Sequence, residues 1–295
     1  SEYTARTHNE TRRDDQTDTI ERRAEAIDDE SLLFRHVITE TGDGRGHQWN
    51  LTVEYASDPA HDALLANVTF NAHDDNEYEV YVIANTALTN SGATDRGIRL
   101  GSDQYQLVAR DTEAYDQTGE TKPLLIDEHG QEYSVAAAIT STSRFDWATV
   151  SVAGSAYLSK LFSKGTVPEQ ITEVDDENVV LVGRVGNGPA VTETLAFGFA
   201  EDADTAGALG EAAGALTRGY ETVRSSYIDS WNTFLADKPL PDSVAESPTL
   251  ASQYRVSLMT LRAVEDKTFL GAGIASPSVP WGEAVAADEA KGYGY

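Results

Sequence analysis

The chain has 295 residues, 49 acidic against 22 basic, a formal net charge of −27 and no cysteine, and 40% of it is hydrophobic. Zero cysteine excludes thiolate nucleophiles, iron–sulfur clusters and Cys-based zinc sites, and so negative a surface is a poor partner for nucleic acid or anionic membrane. No window approaches the roughly 18–20 apolar residues of a membrane helix, so insertion into a bilayer is not expected.

Residues 1–30 are highly charged, with TRRDDQTDTIERR at 11–23, and read as an edge strand, an arm or a frayed end. From Leu32 the texture changes. LLFRHVI (32–38) is followed by HQWNLTVEY (47–55), where His47, Trp49, Leu51, Val53 and Tyr55 alternate with their neighbours. ALLANVTF (63–70) sets Leu64, Ala66, Val68 and Phe70 on one face, and EYEVYVIA (77–84) does the same with Tyr78, Val80 and Val82. Alternation of period two predicts half-buried strands. SDPAHD (57–62) predicts a turn, because Pro59 lacks a ladder donor and Asp58 can bond its own backbone. YQLVA (105–109), EYSVAAAI (132–139), DWATVSVA (146–153), NVVLVGRV (178–185) and TETLAFGFA (192–200) bring the strands to nine. Nothing of helical spacing separates them, which predicts antiparallel pairing. The fold class is therefore mainly β, a sandwich of two large antiparallel sheets, with an open barrel as the alternative.

After Ala200 the period becomes 3.6. Leu209, Leu216, Tyr220, Val223, Tyr227, Trp231 and Phe234 form one stripe over 203–236; core packing is the expectation, a sugar platform the functional alternative. Gly207, Gly210, Gly214 and Gly219 mark a close contact or a break into two helices. KPLPDSVAESP (238–248) reads as a linker. Ser247 then caps a new helix with Pro248 at its first position, and Tyr254, Leu258 and Leu261 are expected on its buried side. The glycine-rich stretch EDKTFLGAGIASPSVPWGEA (265–284) reads as loop.

Most chemical motifs are missing. The histidines (His8, His36, His47, His61, His73, His129) show neither HExxH nor an i,i+4 pair, so no protein-made zinc site is expected. GDGRG (42–46) and GRVGNG (183–188) lack the Lys-Ser/Thr of a phosphate loop and read as hairpin turns. HDDNEYE (73–79) has oxygen ligands but not the glycine and spacing of a calcium hand. No cofactor is required, and a structural calcium ion held by acidic turns stays open. Asn9, Asn50 and Asn67 begin N-x-Thr triplets, which are glycosylation acceptors in an exported protein or chance matches. Glu265, Asp266, Glu283, Asp288 and Glu289 gather near the C-terminal loop, yet no spacing pairs two of them for acid–base work, and solvated surface is the expectation for each. The negative charge runs through the whole chain and predicts a folded protein of a salt-saturated cell or brine, where salt screens its self-repulsion.

The run at 265–284, followed by GYGY at 292–295, resembles bacterial and archaeal glycoside hydrolases of family 15, the glucoamylase and glucodextranase group. SLMTL (257–261), AFGFAEDADTAGA (196–208), GYETVRSSYIDSWNTFLA (219–236), YASDPAHDALLANVTFNA (55–72) and YVIANTALTNSGATD (81–95) resemble that family's N-terminal region, so the likeness covers most of residues 20–295. It implies a β-super-sandwich over 1–200, cropped at its start, a helical linker over 201–248, and over 249–295 the beginning of a truncated (α/α)6 catalytic barrel. In the family that barrel carries an inverting pair of glutamates that releases β-glucose from α-glucan ends, with α-glucan or maltooligosaccharide as substrate. Tyr295 matches an aromatic residue beside the terminal-glucose subsite, and Ser276, Pro277, Ser278, Pro280, Trp281 and Gly282 match the loop leading to it. Trp281 either stacks on sugar or plugs the barrel mouth. Family members continue from the glycine-tyrosine motif into a Trp-x-Arg-Asp segment, whereas this chain stops at Tyr295 without a counterpart of either glutamate. Residues 1–295 alone are therefore expected to release no glucose. Two alternatives are a trehalase-like α-glucosidase and a non-catalytic glucan-binding or surface structural sandwich. The latter would show an exposed aromatic row using Trp49 or Trp147, although the alternation of Trp49 with Leu51 and Val53 points it inward.

Overall fold

The computed structural model describes residues 2–7, 11–13, 20–42, 46–86, 88, 94–111, 114–115, 121–122, 125–126, 132–161, 169–265 and 271–273. The strands are β1 (Glu2–Thr7), β2 (Thr11–Arg13), β3 (Ile20–Ala26), β4 (Phe34–Glu40), β5 (Trp49–Ser57), β6 (Ala63–Ala72), β7 (Tyr78–Asn85), β8 (Asp95–Leu100) and β9 (Gln106–Asp111). They continue with β10 (Ala114–Tyr115), β11 (Thr121–Lys122), β12 (Leu125–Ile126), β13 (Glu132–Tyr133), β14 (Val135–Ser141), β15 (Ala148–Val152), β16 (Glu173–Glu177), β17 (Val179–Asn187) and β18 (Ala190–Glu201). The helices are α1 (Ala156–Leu161), α2 (Thr205–Arg218), α3 (Tyr220–Ala236), α4 (Asp242–Ala245) and α5 (Pro248–Ala263).

Nine strands form one sheet in the order β16-β8-β9-β14-β18-β6-β5-β4-β3, and five form a second, β15-β17-β7-β1-β2. The pairings within both sheets are antiparallel, as the missing crossover helices predicted. The two short pairs β10–β11 and β12–β13 stand apart from both sheets. Each of the nine predicted strands is present. The charged N-terminal stretch supplies three strands: β3 and β2 are edges of the nine- and five-stranded sheets, whereas β1 lies inside the second sheet between β7 and β2; β16 (EVDDE) is the opposite edge of the large sheet.

The sandwich interior holds the expected alternating residues. Trp49, Leu51, Val53, Ala66, Val68 and Phe70 face Tyr78, Val80, Val82, Val179 and Leu181 of the second sheet. Trp49 is 2% exposed and lies tilted against Phe70, 5.8 Å between ring centres. Half-burial does not describe the central strands, however. Leu65 and Ala196 on the other face of the large sheet are covered by Ala212, Ala215, Tyr220 and Val223 of α2 and α3. Tyr81, Ile83, Val180 and Val182 on the outer face of the second sheet are covered by Leu158 and Leu161 of α1, with Trp147 edge-on to Tyr81. Both faces are buried because helices cap the outside of each sheet, so the unbroken apolar runs YVIA and VVLV are the better guide than the alternating subset.

Gly219 breaks the long helical stripe in two, with φ of 81° and its N–H returned to the carbonyls of Ala215 and Leu216. The residues of α2 that are fully buried are Ala208, Ala212 and Ala215, not Leu209 and Leu216, which flank them. The reason is proximity: α2 lies so close to β18 that a Cβ added at Gly198 would sit 2.1 Å from the Ala208 carbonyl oxygen. Ser247 caps α5 as expected, its hydroxyl accepting from the Leu250 N–H at 3.4 Å. The expected buried side of α5 is corrected. Ala251 and Met259 are the buried residues, while Leu261 is 68% exposed because no described element packs on that flank. Of the two glycine motifs read as turns, Gly183 and Gly186 lie inside β17, where added Cβ atoms would meet Phe145 and Val191; only Gly188 belongs to the β17–β18 turn.

Candidate functional site

The residues expected to meet sugar, Trp281 and Tyr295, and the loop from Ser276 to Gly282 lie outside the described residues, as do Asp266, Glu283, Asp288 and Glu289. Glu265 is described. It pairs with Arg262 and accepts the Gly271 N–H at 3.0 Å, so its carboxylate closes the end of α5.

An open cleft of about 930 Å³ lies where the β5–β6 turn, the end of β18 and the start of α2 meet, lined among others by Asp58, His61, Asp62, Phe199, Glu201 and Glu211. The turn forms as its sequence requires. Asp58 Oδ1 accepts the Ala60 N–H at 3.0 Å and so folds the chain back at Pro59. The same carboxylate, buried beneath the turn, pairs with Arg218 at the end of α2, and Arg218 also donates to Ser226 of α3 at 3.0 Å. Glu211 accepts the Asp62 N–H and contacts His61 Nδ1, both at 3.0 Å. Asp204 caps α2 through the N–H groups of Ala206 and Gly207. On α3, the Tyr220 hydroxyl donates to Glu54 of β5 at 3.2 Å; burial first, and then the neighbouring Glu54 charge, push its ionisation well above the usual tyrosine range.

Asp58 and Glu211 are thus committed to holding α2 and α3 on the large sheet, and Asp204 to capping α2. Chemically the cleft is a joint between sheet and helices, with Phe199 (42% exposed), Asp62 and Glu201 left on its walls. The spacing of SDPAHD predicts a turn and nothing of its partners more than a hundred residues away.

A second joint ties α5 to the rest. Arg255 reaches Glu30 at 3.4 Å and Asp29 at 3.9 Å in the β3–β4 connection, and Arg255 and Glu30 help wall a groove of about 360 Å³ with Leu235, Lys238 and Leu240. Beyond it, Leu250, Val256 and Leu261 of α5 are exposed. At the aromatic end of α3, Tyr227 packs on the core beneath it and its hydroxyl donates to the Leu32 carbonyl at 3.2 Å, Trp231 is edge-on to both Tyr227 and Phe234, and Lys238 lies over the Phe234 ring at 4.7 Å. Among the described residues no three His, Asp or Glu gather in a way that could hold a metal ion. Asp74 of HDDNEYE is engaged in the fold, accepting from the N–H groups of Gln48 and Asn76 and the Tyr78 hydroxyl at 2.6–2.7 Å. Asn50 and Asn67 sit inside β5 and β6 with their side-chain oxygens bonded to His73 and Thr194. No described helix is long and apolar enough to cross a membrane.

Comparison with known proteins agrees with this architecture. The family model described as glucodextranase, domain N, matches residues 5–236. A glucoamylase of Clostridium sp. (strain G0005) is 25% identical over 287 residues, which are 95% of this chain and 36% of that protein. The crystal structure of a bacterial glucoamylase complexed with acarbose superposes with a TM-score of 0.72 at 20% identity, covering 95% of this chain and 37% of that one, and so shares the fold. The chain spans little more than a third of the length of these relatives.

Proposed function

The chain belongs to the glucodextranase domain N family, and from that premise we propose that it is the N-terminal portion of an exo-acting, inverting α-glucoside hydrolase, glucoamylase- or glucodextranase-like, that releases glucose from α-glucans. The observation that carries the reading is the likeness of 95% of the chain to part of a longer glucoamylase. In the proposed division, 1–200 is the sandwich, 201–248 the helical linker and 249–295 the start of the barrel. The Asp58–Arg218 and His61–Glu211 joints would then set the angle at which the linker leaves the sheet. The exposed leucines of α5 would meet the next barrel helices. Trp281 and Tyr295 are assigned to the wall of the terminal-glucose subsite, Trp281 offering a flat apolar face to the pyranose. The acid–base glutamates are assigned to the remainder of the barrel, one protonating the glycosidic oxygen while the other activates water on the opposite face. The charge of −27 supports a high-salt setting for this version of the enzyme. The glucan-binding alternative loses its distinguishing feature, since Trp49 is buried and Trp147 packs on Tyr81.

The test is the native polypeptide from its source, weighed intact and assayed in molar salt with maltooligosaccharides, isomaltooligosaccharides and trehalose. A mass well above 31.9 kDa with β-glucose as the first product supports the reading. A native mass of 31.9 kDa, or release of α-glucose, overturns it. Activity on trehalose alone moves it to the trehalase-like alternative.

A further inference from the structure

Two carboxylates are buried between the sheets where β8 and β9 meet the end of β7. Leu107 and Ala109 of β9 point between the sheets, and by the two-residue period Asp111 does too. Gly97 of β8 abuts the Val179 side chain of the second sheet, so Asp95, two residues earlier, shares that direction. Asp95 and Asp111 stand directly opposite one another in the β8–β9 register, and both are 0% exposed. One Asp95 oxygen, Oδ2, accepts from the Thr86 hydroxyl at 2.8 Å, and Asp111 Oδ1 accepts from the Thr94 hydroxyl at 2.8 Å. The other Asp95 oxygen, Oδ1, is buried without a hydrogen-bond partner. Burial pushes the Asp95 carboxyl up to about 7 despite the Thr86 hydroxyl and the Leu88 N–H, and the Asp111 charge adds to the rise.

Like charges directly across a strand pair repel, and an unsatisfied carboxylate oxygen in a dry interior is costly. A positive charge between the two side chains removes both penalties. We propose that Asp95 and Asp111 form a divalent-cation site of the calcium class at this end of the sandwich, completed by the Thr86 and Thr94 hydroxyls and water. Carboxylate and hydroxyl oxygens, without imidazole or thiolate, are hard ligands that suit calcium rather than zinc. Glu177, opposite Asp95 on β16, is exposed, and among the described residues no third carboxylate or histidine completes a cage. The expected dissociation constant is therefore in the weak range, about 10⁻⁴–10⁻³ M. The site stands on these residues alone and is independent of the hydrolase reading.

The experiment uses the purified protein, stripped with chelator and returned to molar sodium chloride at pH 8, where calcium held only by surface carboxylates is competed away. Equilibrium dialysis is expected to find one calcium ion per chain, and 10 mM calcium chloride is expected to raise the melting temperature by about 3 °C. Asp95→Asn is expected to abolish both effects, while Glu221→Gln, on an exposed helix face, leaves them intact. No retained ion in the wild-type protein overturns the site whether or not the Asp95 variant folds. Calcium stabilisation that survives in Asp95→Asn overturns it as well. Stabilisation on lowering the pH from 8 to 6 with no calcium effect would assign the pair a shared proton in its place.

Discussion

Helix α2 comes close to the large sheet at Gly198, and replacing that residue with alanine isolates what the approach contributes. An added Cβ would lie 2.1 Å from the Ala208 carbonyl oxygen, 2.6 Å from the Ala212 nitrogen and 3.0 Å from the Ala212 Cβ, against ordinary contact beginning at 3.4 Å. Two of these three neighbours are backbone, so no rotamer change relieves the clash and α2 must back away by roughly 1 Å. A gap of that size forfeits up to about half of each dispersion well along the contact. The partners affected are the close-packed alanines Ala208 and Ala212. Gly198→Ala is therefore expected to destabilise by about 3 kcal/mol, the upper range for overpacking, and to lower the melting temperature by roughly 5 °C. Gly210, on the same helix, has open space where its Cβ would go; Gly210→Ala is expected to stabilise by about 0.5–1 kcal/mol through helix propensity alone. Thermal unfolding of both variants in molar salt is the assay. A Gly198→Ala protein melting within a degree of wild type would refute the argument that small residues are dictated here by proximity.

Asp74 is expected to carry acid-limb stability: although burial opposes it, the N–H groups of Gln48 and Asn76 and the Tyr78 hydroxyl hold its carboxyl below the usual range. Its contribution, about 1–2 kcal/mol for a half-buried hydrogen-bonded carboxylate, is present above the ordinary aspartate value and lost progressively as pH falls below about 4; Asp74→Asn should thus cost stability at pH 7 and progressively less as the pH is lowered, measured by urea unfolding. Leu261→Glu, on the bare flank of α5, is expected to change the stability of this 295-residue chain by less than about 0.5 kcal/mol and, on the proposed reading, to destabilise the longer enzyme; a large loss in the short chain would show that the flank is already covered. Raising sodium chloride from about 0.1 M to about 1 M shortens the screening length from about 10 Å to about 3 Å and is expected to raise the melting temperature by several degrees; a flat response would count against self-repulsion as the dominant surface term.

Strands were legible wherever alternation or an apolar run was strong, and so was the capped start of α5, because Ser247 and Pro248 are local signals. The strands β8 (DRGIRL) and β16 (EVDDE) were not, since they carry too little apolar character to announce a sheet; β8 is held by its hairpin with β9, and β16 by pairing with β8, distant in sequence. Helix faces were misjudged where size misleads: large residues mark a core only if the partner surface stands off, and α2 buries alanines because Gly198 brings the sheet to it. The joint around Asp58, Glu211 and Arg218 was illegible for a related reason. Each of those residues is an ordinary surface charge until the fold closes a gap of about 150 residues. The likeness carried by AFGFAEDADTAGA did point to that region, without saying what its acidic residues do.

The two ends of the nine-stranded sheet have a consequence for assembly. Pairings such as β6 with β18 join segments more than a hundred residues apart, so the sheet closes late and its open margins face other copies of the chain meanwhile. Both margins are armed against that encounter: β3 presents Glu21, Arg22 and Arg23 to solvent, and β16 presents Glu173, Asp175 and Glu177. In brine the Coulomb repulsion of such groups is largely screened. Their tightly held hydration is not, and a strand seeking to dock against either margin would first have to strip it. Protection against aggregation would then persist at the salt concentrations where charge repulsion alone no longer provides it.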